Sequence, residues 1–526
     1  MTILADKRLF FAAVLSLGLL AMTARTATDP DLWWHLRTGQ WIVETGHVPH
    51  TDPFSFTRGG SPWVSHEWLS EVIFYALWRL AGPTALIVFS SLITTAGFLL
   101  LYWRCLGSPA SPGPPERPGL PLWGGSPVLA FSGEWSGEPH WAAAATVLGA
   151  MASAPCWGSR PQMFTLLLAS LFLWLLDRAE QRPRLLLWIP PLFLLWLNLH
   201  AGFALGPALL LLYAGGLFLE ALAGTIPWPE ARPILTRVLL ATLACLALVP
   251  LNPAGARLYR YPFETVRASE LRSLIVEWLS PDFHRSMYFP FLLVLLLLLV
   301  ALAWSRFPVH GRALVPLMFM LLSALDAVRH IPIFMLVAMP VIAQALPRSA
   351  QPAWPSAHRP PRQRFRTLSY SAALVFLAVF ALWRWTTLAN TQNAHAAALF
   401  PRNAVAFLRA GQFPERLFAY YDWGGYVIWN LYPQYRPFAD GRSDLYSGDL
   451  LKQAAQTVPN LRQGWQAILD GWHVETVLIP PDTALAQALL LDQRWTVPYH
   501  DSQAIIFVRN HPNQQALLPA LSSKRP

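Results

Sequence analysis

The chain has 526 residues, 54% of them hydrophobic and only 13% charged, a balance that excludes an ordinary soluble globular protein and reads as a polytopic membrane protein. Its formal net charge of +10 is carried almost entirely by Arg, which fits cytoplasmic loops, anionic headgroups or phosphate ligands, and there is no basic soluble domain to take nucleic acid. The three cysteines, Cys105, Cys156 and Cys245, lie in or beside apolar runs and imply no disulfide framework.

In chain order, Lys7-Arg8 precede an apolar run over 9–24 that reads as a retained signal anchor rather than a cleaved signal peptide. Ten further apolar runs fall near 83–103, 141–158, 162–177, 185–200, 203–222, 235–250, 288–305, 313–328, 331–346 and 369–388. Each approaches the roughly 20 residues that cross a bilayer, which predicts about eleven spans. A cytoplasmic N-terminus in the cell (inner) membrane places Arg178, Arg182, Arg184, Arg232, Arg237, Arg306, Arg312 and the basic run 348–366 inside, as the positive-inside rule asks. The outer loop 251–287 breaks the rule with Arg257, Arg260, Arg267, Arg272 and Arg285, either as an anion-binding surface or as a solvated amphipathic helix. The inner stretches 106–140 and 347–367 are rich in Pro, with Gly or Arg, and read as linkers.

Between the first two runs lies a polar, aromatic loop, 28–82, that opens Asp29-Pro30-Asp31-Leu32-Trp33-Trp34-His35-Leu36-Arg37 and closes on His66-Glu67-Trp68. Two carboxylates two residues apart, with a Trp pair, a His and an Arg, can hold a divalent cation and a phosphorylated sugar at a membrane surface. Asp29 fits equally well as the cap of the helix that follows. The same predicted side of the membrane collects Arg160, Asn198, His200, Asn252, Glu277, Asp326, Arg329 and His330. Arg160, His200, Arg329 and His330 all stand at span ends where a lipid phosphate would lie, a position that also suits interfacial anchors and helix caps.

After the last span the composition shifts. Residues 389–526 alternate helical periods with short apolar runs at 417–420, 475–479 and 504–508, which predicts an extracytoplasmic α/β domain of about 130 residues. Its notable stretches are Tyr420-Tyr421-Asp422-Trp423-Gly424-Gly425 and Asp440-Gly441-Arg442-Ser443-Asp444. A tight turn beside an aromatic cluster accounts for the first as readily as a binding motif does.

Asp31-Leu32-Trp33-Trp34-His35-Leu36-Arg37 resembles the first loop of the GT-C membrane glycosyltransferases, above all the catalytic subunits of oligosaccharyltransferases. In those proteins an Asp is followed by two aromatics, a polar residue and an Arg. The resemblance puts Asp31 on the family's catalytic, metal-proximal Asp, and makes His35, Arg37 and Glu67 substrate-side residues. Tyr420-Tyr421-Asp422-Trp423-Gly424 is similar to the family's WWDYG acceptor motif and implies an acceptor role for Tyr421, Asp422 and Trp423. Eleven spans are also similar in number to the protein O-mannosyltransferases.

Two departures are visible. The family's second outer loop supplies an acidic pair, whereas 157–162 here offers Arg160 and no carboxylate, so Glu67 or Glu277 would have to complete a Mg or Mn site with Asp31. The Trp pair of the acceptor motif is missing too, and selectivity for Asn sequons does not carry over.

The resemblance implies inverting transfer of a sugar from a polyprenyl-phosphate or pyrophosphate donor to a lipid, glycan or protein acceptor, with membrane lipid as the other partner. Such chemistry needs a carboxylate to deprotonate or orient the acceptor, for which Asp31 is the candidate and Asp29, which the spacing alone would equally permit, the runner-up. It also needs cations to neutralise the leaving phosphate, for which Arg160, His200, Arg329 and His330 are the candidates. A metal-independent ligase or polymerase of lipid-linked glycans is a second reading. A transporter is a third, less favoured because 162–176, 185–197, 203–219, 288–304 and 369–382 contain no ionisable residue.

Overall fold

Every one of the eleven apolar runs is helical in the computed structural model, which describes residues 6–107, 138–267, 269–304, 309–345, 363–446 and 448–510. The linker assignments at 106–140 and 347–367 fall largely outside these residues. The helices are α1 (Lys7–Thr23), α2 (Leu32–Thr45) in the first loop, α3 (Trp68–Cys105), α4 (Pro139–Ser153), α5 (Gln162–Ala179), α6 (Ile189–Leu199), α7 (Leu205–Leu222), α8 (Trp228–Leu248), α9 (Phe289–Trp304), α10 (Gly311–Asp326), α11 (Ile331–Ala345) and α12 (Gln363–Leu399). Among the described residues, seven helices are long and apolar enough to cross a membrane. Four of the expected eleven, α1, α4, α6 and α10, fall short of the combined length and apolarity of these seven, α6 being a short helix entered through the 3₁₀ turn Pro183–Trp188.

The chain divides into two units. The first comprises 1–25, 87–252 and 277–388 and holds most of these helices. Its centre is α11, buried at every position from Ile331 to Ile342. Polar groups join neighbouring helices where apolar packing alone would leave register loose. Thr23 Oγ1 of α1 lies 3.0 Å from Ser91 Oγ of α3, and Arg104 Nε of α3 donates to Asp177 Oδ2 of α5 at 2.7 Å. At the same end of the bundle Arg312 of α10 pairs with Glu220 of α7 at 2.9 Å. Arg178 and Arg312, two of the arginines that the orientation rule groups together, line one cavity of about 150 Å³ there with Arg104.

The second unit comprises 26–86, 253–276 and the chain from Ala389 onward. Its part of α3 ends at a break. Ala81 leaves the helical region and Gly82 takes φ 58°, a left-handed conformation open to Gly, just before Pro83, which cannot donate to the preceding turn. The apolar span therefore starts where the sequence pattern places it, and 68–80 forms a separate helix after the first loop.

After α12 the chain forms α13 (Arg402–Ala410), β1 (Arg416–Ala419), α14 (Gly424–Leu431), β2 (Arg436–Pro437), α15 (Asp449–Asn460), α16 (Trp465–Gly471), β3 (Thr476–Ile479), α17 (Ala484–Leu491), β4 (Trp495–His500) and β5 (Ile505–Arg509). The strands make one sheet in the order β2-β1-β3-β5-β4, parallel from β2 to β3 and antiparallel across β5 and β4. The three expected apolar runs are β1, β3 and β5, each within about a residue of its expected bounds. β4 escapes the pattern because Pro498 and a register shift between Thr496 and Tyr499 interrupt its alternation. Phe54 and Trp63 of the first loop join Phe418, Phe438, Tyr446, Val477 and Phe507 in one core, so the first loop and the C-terminal segment fold as a single body.

Candidate active site

The site in the second unit begins at the start of α2. The Asp29 carboxylate accepts the backbone N–H of Asp31 at 2.9 Å and its carbonyl accepts that of Leu32 at 3.2 Å. Asp29 is thus engaged in starting the helix. Asp31 occupies the cap position but makes no side-chain cap bond, and its Oδ1 instead accepts the Trp34 indole N–H at 3.2 Å. The wall beside it is Gly441, where an added Cβ would come within 1.8 Å of Asp31 Oδ1.

The glycines of the 420–425 stretch have a packing role. A Cβ on Gly424 would lie 2.2 Å from the Ala439 carbonyl oxygen, and one on Gly425 would lie 2.9 Å from that of Pro30. Only glycines let α14 lie this close to both the start of α2 and the strand leading to Asp440. That approach brings Tyr421, partly buried in the turn Tyr421–Trp423, into the field of Asp31. Burial, together with the negative charge of Asp31, Asp440, Asp422 and Asp444, holds the Tyr421 phenol well above its ordinary pKa. It therefore stays protonated and keeps a proton to donate to an acceptor. Trp423 is buried and donates its indole N–H to the Leu399 carbonyl at 2.9 Å, a scaffold bond, while Asp422 is exposed.

Beneath the Gly441 wall lies a closed ion-pair network. Arg442, fully buried, donates from Nε and Nη2 to the two Asp440 oxygens at 2.8 and 2.7 Å and from Nη1 to Asp52 Oδ1 at 2.8 Å. The Tyr446 hydroxyl donates to Asp440 at 2.6 Å, and the guanidinium lies over the rings of Trp63 and Phe54 at 4.5 and 5.2 Å. Burial opposes the cation, yet Asp440, Tyr446 and Asp52 together hold Arg442 well above its ordinary range. The network fixes the position of Gly441, and through it the surroundings of Asp31.

A second titratable group surrounds Glu67. The His35 ring lies against Trp34 at 3.6 Å between centroids, with Nε2 3.9 Å from Glu67 and Nδ1 3.6 Å from Glu71. Ser65 donates to Glu71 at 2.9 Å. The His66 ring nitrogens face the Val64 carbonyl at 3.1 Å and the Glu67 carboxylate at 3.3 Å, two acceptors that favour the protonated ring. Burial opposes that cation, but Glu67 and Asp444 outweigh it and the His66 pKa is raised. Burial also raises the pKa of Asp444, against the pull of His66 and Arg442. Arg37 lies apart from this group, over the Tyr432 ring at 5.0 Å.

Three of the expected phosphate-binding residues converge in the first unit. The Arg160 guanidinium pairs with Glu277. Arg329 lies over the ring of the next residue, Trp278, at 4.3 Å, and the His330 ring meets the same indole edge-on at 6.1 Å. Backbone contacts hold the frame: Val328 N–H donates to the Leu279 carbonyl at 3.0 Å, and Cys156 Sγ lies 3.3 Å from the Val328 carbonyl. His200 belongs to another local network. Trp196 donates to Thr165 Oγ1 at 2.8 Å, and His200 Nδ1 takes both the Thr165 hydroxyl at 2.7 Å and the Gly202 N–H at 3.0 Å, which leaves the proton of a neutral ring on Nε2.

As they stand, the carboxylates do not fit a resident Mg or Mn ion. Among the described residues no three His, Cys, Asp or Glu side chains converge where they could share one. The Glu277 carboxylate is engaged by Arg160.

No family profile matches the chain, and no curated protein matches it in sequence. Solved structures do match in fold. The oligosaccharyltransferase of Archaeoglobus fulgidus in its apo form superposes with a TM-score of 0.52 at 11% identity, over 90% of this chain and 70% of that one. AglB, the oligosaccharyltransferase of the same organism, in complex with an inhibitory peptide and a dolichol-phosphate, gives 0.53 at 11% identity, over 90% and 69%. The chain shares its fold with these oligosaccharyltransferases. ArnT from Cupriavidus metallidurans bound to undecaprenyl phosphate spans 96% of this chain and 98% of its own at 12% identity, but its TM-score of 0.46 is too loose an overlay to bear on function.

Residues outside the quoted motifs also surround Asp31. Gly441, Arg442, Asp440 and Asp52 have no local signature as a site, and their grouping depends on contacts between the first loop and the C-terminal segment. The run Asp440-Gly441-Arg442-Ser443-Asp444 was the visible trace of it.

Proposed function

We propose that this chain is an integral-membrane glycosyltransferase moving a sugar from a polyprenyl-phosphate-type donor to an extracytoplasmic lipid, glycan or protein acceptor. The observation that carries this reading is Asp31, a partly exposed carboxylate that makes no cap bond and lies against Gly441 beside the protonated Tyr421. The complex of AglB with an inhibitory peptide and a dolichol-phosphate supports a lipid-linked donor in this fold. In the proposed step Asp31 takes the proton of the acceptor nucleophile as that atom bonds to the anomeric carbon. The bond from that carbon to the phosphate oxygen breaks, and its electron pair leaves with the phosphate, inverting the centre. Within the first unit, Arg160, Arg329 and His330 are proposed as a group that binds a lipid phosphate. The convergence of those two arginines and a histidine also favours the second reading, a ligase or polymerase of lipid-linked glycans in which Arg and His supply most of the electrostatic stabilisation.

The test is turnover of a polyprenyl-linked sugar by the purified chain; a folded protein that releases no polyprenyl phosphate from such donors would refute both readings. The proposed orientation has a test of its own. The three native cysteines are buried and give little background. Glu44→Cys and Asn460→Cys should react with an impermeant thiol reagent on intact cells, and Arg182→Cys only after permeabilisation. The opposite pattern would invert the topology.

A further inference from the structure

We infer that Glu277 is the resident counter-anion of the Arg160–Arg329–His330 cluster, holding Arg160 until the phosphate of a polyprenyl phosphate displaces it. The inference rests on the phosphate-binding reading of that cluster and adds a competing group to it. A carboxylate oxygen and a phosphate oxygen present the same kind of acceptor to a guanidinium, so one can replace the other without rebuilding the site.

Three observations favour exchange over a fixed structural pair. First, the Arg160 and Glu277 side chains keep 18% and 31% of their surface exposed, against 12% and 4% for Arg312 and Glu220. Water can solvate the partners when they part, which keeps the pair weak. Second, the surrounding frame does not depend on the pair. Residues 279–280 are held to 326–328 by Val328 N–H to the Leu279 carbonyl at 3.0 Å and by Ser280 Oγ to the Asp326 carbonyl at 3.2 Å. The Glu277 carboxylate can leave Arg160 while those bonds stay closed. Third, Arg329 is held by the Trp278 ring rather than by a carboxylate. When Glu277 leaves, Arg160 and Arg329 face an incoming phosphate as two cations on one indole-based frame, and the site gains a full unit of positive charge.

The experiment is titration of the purified full-length chain with undecaprenyl phosphate, followed by Trp fluorescence. Glu277→Gln should tighten binding about fivefold, the scale expected for release of a partly exposed ion pair. Arg160→Gln should weaken it, and in that background Glu277→Gln should have no further effect, because the two residues act through one contact. Undecaprenol, which lacks the phosphate, should bind both variants and the wild type alike. Unchanged or weaker binding by a Glu277→Gln protein of normal melting temperature would overturn the inference. So would an equal gain for undecaprenol. A wild type that binds undecaprenyl phosphate but shows no gain on Glu277→Gln removes the counter-anion alone. A wild type that binds no undecaprenyl phosphate removes the phosphate-binding reading with it.

Discussion

Arg442 and Arg160 each meet a carboxylate far away in sequence, 390 and 117 residues off, yet in opposite ways. Arg442 is wholly buried, bonded to two carboxylates and a phenol and roofed by Trp63 and Phe54. Arg160 remains partly exposed, and its partner Glu277 is solvated as well. The difference separates two uses of the same ion pair. A guanidinium whose donors are spent on buried acceptors fixes backbone, here the Gly441 turn beside Asp31. One that water can reach is able to trade its partner for a ligand. Motif matching alone does not distinguish them, and burial does.

The largest effect that would break this contrast is expected at Arg442. Arg442→Ala leaves Asp52 and Asp440 buried with no cation, a loss on the order of 3–5 kcal/mol. The second unit should become protease-sensitive and its unfolding transition should fall or vanish. A stable, active Arg442→Ala protein would show that the network does not hold the site.

Gly441→Ala sharpens the contrast further. The added Cβ collides with the end of the Asp31 side chain, which can rotate away, and not with backbone. Transfer should fall by about 10²-fold, as for a misplaced catalytic group, while the melting temperature barely moves. Full activity would mean that the carboxylate need not lie where it does.

A smaller effect is expected from pH. The His66 pKa is raised above its ordinary 6.5, so the folded chain binds that proton more tightly than the unfolded one does. Stability from this group is therefore complete below the ordinary value and is lost as pH rises through the raised one. Asp444, raised by burial, acts in the same direction over the more acidic range. Thermal unfolding of the wild type should weaken on that rise, and His66→Gln should flatten the slope. An unchanged slope would show that His66 does not titrate as its two acceptors imply.

Much of the fold was legible because long apolar runs admit few alternatives. All eleven became helices, and Gly82-Pro83 broke α3 where the pattern put the start of a span. Asp31 and the 420–425 stretch were legible as local strings. The partners of Asp31 were not, because Gly441, Arg442 and Asp52 look like ordinary loop residues until the first loop and the C-terminal segment share a core. Span number was only partly legible, since residues 183–188 and 154–156 continue the apolar pattern as 3₁₀ turns and α4 and α6 end up short. Arg160 and Glu277 were legible as residues of one side of the membrane, and only the folded chain pairs them.

The central claim is that the Asp31 carboxylate performs the acceptor-side chemistry while Asp29 starts a helix. It is tested most directly by assaying Asp31→Asn and Asp29→Asn side by side for sugar transfer from a polyprenyl-linked donor, each with its unfolding temperature. Asp31→Asn should lose about 10²-fold or more in rate, with stability within about 0.5 kcal/mol of the wild type. Asp29→Asn should stay active and lose about 1 kcal/mol with its helix-start bond. An inactive Asp29→Asn beside an active Asp31→Asn, or full activity in both, would contradict the account.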